Sequence, residues 1–437
     1  MGAGVIAIGL ALSGCASAPR ARVGAALAAG DLSLARREYE VLRVSDGEDT
    51  ELLARVAGLL LEQEAASEDR DRRRAAVQEL GLAGPMGRPI LQRVVAGAGP
   101  GRLAALESLA RRGDRDARRE LRGLADSEDP EARAASVLGM DVELDRALLL
   151  DWIASPSARV RQAVAERLGE LTIDSEAQQA LEAAARVDPE PAVRAACVRA
   201  LGEIGPNAVE ALRERLSDES ASVRTAAVDA LVRADRARAL EVLGALLAMP
   251  PSPAGIEAAR VIATPLATEP EEPAGARDAR AYLRGALSSS DPTLRAQAGV
   301  ALAGMPPQEG VEISLRAALA AETDDGARLS LARALLRQPS AQVDARAALA
   351  ALMERDAAMN GLQAATILAA EGEESARQRL RAFLEMPDAT LRRVAARALA
   401  RDAMRPDEAR VALDDEDALV RIRAAGGILA AYAAVAG

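Results

Sequence analysis

Serine and aspartate are plentiful in this chain, but the bases and amines that usually put them to chemical use are missing. Histidine is absent, and all 55 basic residues are arginine. A serine nucleophile therefore has no imidazole or amine to serve as its base, and there is no lysine for a Schiff base or a phosphate loop. The glycine-rich run Ala96-Gly97-Ala98-Gly99-Pro100-Gly101 follows a helical pattern rather than a strand, so it is read as an inter-helix loop. Carboxylate pairs at Asp324-Asp325 and Asp414-Asp415 carry the charge to hold a hard cation, but not the alternating oxygen ligands of a calcium loop. They are read as turns, and neither a metal nor a cofactor is expected. Of the two cysteines, Cys197 sits in an alanine-rich helical pattern and reads as a small core residue.

The densest positive charge lies between Arg102 and Arg122, where Arg111, Arg112, Arg115, Arg118 and Arg119 are the candidate binding residues. Planar guanidinium forks suit phosphates and carboxylates, so a lipid headgroup or an anionic envelope polymer is one ligand class for this stretch. Asp114, Asp116 and Glu120 interleave with the arginines, and the same residues also read as a self-paired helix face. Nucleic acid is not expected as a partner. The net charge is −11, and Trp152, Phe383, Tyr39, Tyr282 and Tyr432 are the sole aromatics, too few for a base-stacking surface. No small-molecule substrate is expected, and the chain is read as not an enzyme.

The elements that position these residues follow from a phrase that recurs along the chain: an acid or proline turn, an apolar residue, an arginine, then an alanine-rich helix. Arg133, Arg161, Arg194 and Arg224 mark it at intervals of 28, 33 and 30 residues; Arg295 and Arg328 are 33 apart, and Arg392 and Arg421 are 29 apart. A period near thirty residues means a stacked array whose core grows with each unit. Asp129-Pro130, Asp188-Pro189 and Asp291-Pro292 read as N-caps followed by first-turn prolines, and Gly169, Gly202 and Gly205 as helix ends. A second helix leads to the next acid, as between Ala208 and Leu216.

Two helices per repeat with the pattern Asp-Pro-x-Val-Arg-x-x-Ala-x-x-x-Leu-Gly resemble HEAT repeats, in particular the short bacterial form shared with phycobilisome-lyase-like proteins. The resemblance runs from about residue 70 to the carboxyl end, over about twelve units. It implies an all-α, right-handed α-solenoid of stacked antiparallel helix pairs, whose concave row of second helices binds one or more proteins. The repeated arginines and acids are read as ties between units rather than as sites. Kinship with the lyases also raises an enzyme-accessory role, for which Cys197 is the one candidate residue.

At the amino end, the apolar stretch before Leu12-Ser13-Gly14-Cys15 is too short to span a bilayer. These four residues resemble the lipobox of bacterial lipoproteins, although the basic residues that open such signals are missing. The resemblance implies a signal peptide over 1–14, lipidation (palmitate among the acyl chains) at Cys15, and a periplasm-facing, membrane-anchored protein. Ala16 after the cysteine resembles the pattern sorted to the outer membrane.

The expected organisation is thus a helical cap over 15–69 and repeats over 70–250, then a Pro-rich acidic insertion around a degenerate repeat over 251–275 and repeats over 276–437. Gly30 to Tyr39 resembles half a tetratricopeptide repeat. The uncharged end from Ala424 to Gly437 either folds back on the last repeat or offers an apolar face to a partner.

Overall fold

The structure, a computed structural model, describes residues 18–171, 174–264, 275–305, 309–401 and 405–436. Cys15, the 1–14 signal and the acidic core of the 251–275 insertion lie outside the described residues. Among the described residues there are helices and no strand, and the chain is an all-α solenoid of stacked helix pairs. It divides into two compact units. Unit 1 takes both chain ends, Met1–Asp114 and Ala369–Gly437, and unit 2 takes Arg115–Leu368.

Unit 1 opens with α1 (Ala18–Ala28), α2 (Leu32–Asp46), α3 (Thr50–Ala65), α4 (Arg70–Leu82), α5 (Gly87–Ala96) and α6 (Arg102–Arg111). Unit 2 holds α7 (Arg115–Arg122), α8 (Pro130–Ser136), α9 (Arg146–Trp152), α10 (Ala158–Leu168), α11 (Ser175–Val187), α12 (Pro191–Ile204), α13 (Val209–Arg215) and α14 (Ala221–Ala234). It continues with α15 (Arg236–Leu246), α16 (Pro253–Ala263), α17 (Ala276–Ala286), α18 (Pro292–Ala303), α19 (Glu309–Ala321), α20 (Asp325–Leu336) and α21 (Gln342–Arg355). The chain leaves unit 2 within α22 (Met359–Ala370) and completes unit 1 with α23 (Glu374–Phe383), α24 (Ala389–Ala400), a 3-10 stretch (Pro406–Asp414) and α25 (Ala418–Ala436).

In unit 2 the even-numbered helices from α8 to α20 pack each on the next, while α11, α13, α15, α17 and α19 pair with the even helix that follows them. Small side chains make this spacing possible. Gly202 lies inside α12 and does not end it, contrary to the sequence reading, because α14 passes so close that a Cβ there would stand 2.8 Å from the Cα of Ala230. Gly205, with φ of +106°, is the residue that ends α12. The caps also shift at one place. Asp129 and Asp291 do accept from the first turns of α8 and α18, whereas α12 begins at Pro191 after Glu190, and Asp188 accepts from the Glu190 amide just ahead of the helix and serves another task besides. Pro253 begins α16, and the Tyr282 hydroxyl fastens the prolines ahead of it by donating to the Pro250 carbonyl and accepting from the Ser252 amide.

α1, α2 and α3 form, and α3 and α4 pack against α25, so the last helix of the chain is covered by the first ones. α25 starts earlier than the uncharged tail suggests. Its window 418–435 is long and apolar enough to cross a membrane, yet half of it is buried in unit 1. The compact units divide at 114/115 and 368/369.

Candidate functional site

The phrase arginines are consumed by the architecture. Arg161, Arg194, Arg295 and Arg392 each donate to a carbonyl six residues earlier in their own unit. Each also forks onto the acid of the next repeat: Arg161 onto Asp188 (2.6 and 2.9 Å), Arg194 onto Asp218 (3.0 and 2.9 Å), Arg295 onto Glu322 (2.7 Å twice) and Arg392 onto Asp415 (2.8 and 3.0 Å). This is what Asp188 does in place of capping α12. The same rung joins the chain ends: Arg421 donates to the Asp415 carbonyl at 2.8 Å and reaches Glu64 of α3 at 3.3 Å. Beside it, Arg423 and Arg397 both engage Glu79 of α4, which is 2 % exposed.

The carboxylate pairs likewise belong to the structure. Asp324 caps α20 and Asp325 pairs with Arg355, while Asp415 takes the Arg392 fork and Asp414 pairs with Arg36. Among the described residues no cluster of three potential ligands could hold a metal ion.

Cys197 is fully buried on α12, and burial pushes its thiol up to about 12. A thiol held so far from its thiolate is a poor nucleophile. In a Cys15→Ser chain at pH 8, Cys197 is expected to stay unmodified by an aromatic disulfide reagent until urea unfolds unit 2. Stoichiometric reaction of the native protein within minutes would contradict this and revive the accessory-enzyme reading.

Grooves between helices are where ligands would meet the array. A groove of about 610 Å3 lies between α17 and α19, lined by Arg284, Arg295 and the hydroxyl residues Ser288, Ser289 and Ser314. Arg295 there is already held by Glu322. A smaller one of about 290 Å3 lies between α14 and α16, and its charges are self-paired: Arg260 bonds Glu257 and Asp229. Burial, and then the nearby Glu257, raises the carboxyl of Asp229.

A third groove, of about 440 Å3, separates α4 from α6 in unit 1 and contains Arg111 and Arg112. Of the other arginines predicted to bind, Arg115, Arg118 and Arg119 lie on α7 in unit 2, where Arg119 pairs with Asp116 at 3.2 Å. The structure thus does not place the five in one unit. It adds Arg74, Val77 and Leu82 from α4, which the sequence reading missed. The signal was present. Arg74, Val77, Gln78, Gly81 and Leu82 follow the i, i+3, i+4, i+7, i+8 rhythm of one helix face, and Ala104, Glu107, Ser108, Arg111 and Arg112 repeat it on α6.

Fold and site together define a repeat solenoid whose polar residues chiefly tie one repeat to the next. Within it, residues 179–263 match the family of HEAT repeats, a stretch that includes α12, α13, α14, α15 and α16 and the phrase arginines Arg194 and Arg224. No curated protein matches the chain. Among solved structures, Escherichia coli YibA is 17 % identical, over 58 % of this chain and 94 % of that one, with a TM-score of 0.35. An engineered protein is 20 % identical over 86 % and 98 %, with a TM-score of 0.26. Human deoxyhypusine hydroxylase, in complex with glycerol, is 18 % identical over 69 % and 99 %, with a TM-score of 0.24.

Proposed function

We propose that this chain is a non-enzymatic, protein-binding scaffold held by lipid in a bacterial cell envelope. The observation that carries the binding role is the allocation of its polar groups. Phrase arginines and acids are spent between repeats, the described thiol is buried, and what faces outward is a succession of grooves between stacked helices. Such a surface binds by many modest contacts over area, not by a reactive centre. The lipobox resemblance at Leu12-Ser13-Gly14-Cys15 supports the anchor, and several acyl chains would hold the protein where one binds only marginally.

The test is photo-crosslinking in living cells from exposed positions on the second helices of the repeats, α11, α13, α15, α17 and α19, with mass spectrometry of the protein purified from membranes. A stoichiometric protein adduct is expected, together with an acylated amino-terminal peptide that disappears in Cys15→Ala. Crosslinks confined to lipid or polysaccharide would replace the protein scaffold with an envelope-polymer binder, and an unacylated, freely soluble protein would remove the anchor.

A further inference from the structure

We infer that the α4–α6 groove is a docking site for an acidic peptide segment of a partner protein, with an apolar anchor residue flanked by Asp or Glu. The inference rests on the scaffold reading and adds a place and a partner chemistry. Arg74, Arg111 and Arg112 are exposed, and none has a carboxylate partner among the described residues, although nearby arginines do: Arg72 with Glu64, Arg88 with Asp114 and Arg93 with Glu62. With Glu107 as the sole acid in the lining, the groove carries a formal charge of +2 in a chain of −11. That local inversion of sign selects an acidic ligand and repels most other surfaces of similar proteins.

The lining between the arginines decides what kind of acid fits. Val77 and Gly81 are buried, Ala104 is half-buried, and Leu82, at 55 % exposed, leaves an apolar side of the groove uncovered. A polysaccharide or a lipid headgroup would gain nothing from that apolar strip, whereas a leucine- or phenylalanine-sized side chain fills part of a 440 Å3 groove and brings its neighbours' carboxylates to the guanidinium forks. Gly81 keeps the wall low: the Ser108 hydroxyl and the Arg112 guanidinium lie 3.1 and 3.6 Å from where its Cβ would stand.

The probe is a fluorescein-labelled octapeptide, three acids on each side of a Leu-Phe pair, titrated by anisotropy into the full chain. Binding is expected with a Kd on the order of 10 μM. The pair Arg74→Glu and Arg112→Glu should weaken it by roughly 100-fold, replacement of Leu-Phe by Ser-Ser by roughly tenfold, and the control Arg333→Glu on α20 by less than twofold. Circular dichroism checks that each variant is folded.

The proposal falls if the wild type fails to bind at 1 mM peptide, or if the groove variants bind equally well. It also falls if the Ser-Ser peptide binds as tightly as the first, or if phosphatidylglycerol vesicles bind with the same dependence on Arg74 and Arg112 as the Leu-Phe peptide. Crosslinks to protein on other helices in the face of any of these results would leave the scaffold reading standing without this groove; peptide binding without any protein crosslink would do the reverse.

Discussion

A chain that ends at Asp417 is expected to lose the cooperative folding of unit 1 while unit 2 keeps its own transition. The missing helix, α25, buries Val420, Ile422 and Ile428 completely and Leu429 to 1 % exposure. Full burial of such side chains stabilises by about 1.5–3 kcal/mol each, so these four alone approach the 5–15 kcal/mol that holds a typical domain together. Truncation also strips Arg421 from Glu64 and Arg423 from Glu79, two carboxylates that are 7 % and 2 % exposed. Trp152, the single tryptophan, lies in unit 2 and so reports that unit alone. The urea midpoint of Trp152 fluorescence should therefore barely move, while total helicity falls at a lower urea concentration and the protein binds a hydrophobic dye in buffer. Two unchanged transitions would mean that α25 is dispensable, and that its contacts with α3 and α4 do not hold the chain ends together.

The joint behind that prediction also marks the limit of what the sequence discloses. The repeat is legible because it is local and recurrent: a turn acid, an arginine and alanines at helical spacing recur often enough to fix helix pairs, caps and period. Arg161 to Asp188 and Arg194 to Asp218 are 27 and 24 residues apart, close to one repeat, so the rung is implied once the period is known. Arg421 to Glu64 spans 357 residues, and no periodicity connects them. Glu64 stands in the last turns of α3 and not in a turn before an arginine phrase, so nothing local identifies it as the last rung's acceptor.

The glycines show the same divide. Gly205 announces a helix end by its positive φ, but Gly202 serves an approach between α12 and α14 that only tertiary packing creates. A Cβ at Gly426 would likewise run into the Glu79 side chain of a helix from the other end of the chain. Of the candidate site, the sequence reading found Arg111 and Arg112 by charge density, yet charge density also gathered Arg115, Arg118 and Arg119 from a different helix. The apolar half of the groove, on α4, became apparent only when the two matching helix faces were set opposite each other.

Breaking one interior rung should cost less than losing α25 but still several kcal/mol, and the cost should depend on pH in a way that identifies its cause. Arg194 and Asp218 have side chains 6 % and 5 % exposed, and Arg194 also serves the Asp188 carbonyl at 2.9 Å. Removing one partner of such a pair leaves the other charge buried, so Arg194→Ala should destabilise unit 2 by about 3–5 kcal/mol. Burial by itself would push the Asp218 carboxyl up; the Arg194 fork and the Ser220 amide override it and hold the carboxyl below its usual value, and the same balance holds at Asp188 with Arg161. A folded carboxyl held low contributes stability at pH values above the unfolded value, near 4, and loses it as pH falls through the folded one. The wild-type protein should accordingly be steady from neutrality to about pH 5 and weaken below about pH 4.

In Arg194→Ala the guanidinium fork is gone, burial outweighs the Ser220 amide that remains, and the Asp218 carboxyl rises above its unfolded value. Protonation then relieves the folded state, so the stability gap between variant and wild type should be widest at pH 7 and narrow as pH falls toward 4. Urea midpoints read from Trp152 at pH 7, 5 and 4 measure that gap. A gap of constant size would show that Arg194 acts through packing of its stem alone. Asp218→Leu added to Arg194→Ala should recover part of the loss and abolish the narrowing between pH 7 and 4, because the unpaired carboxyl that titrates there has been removed.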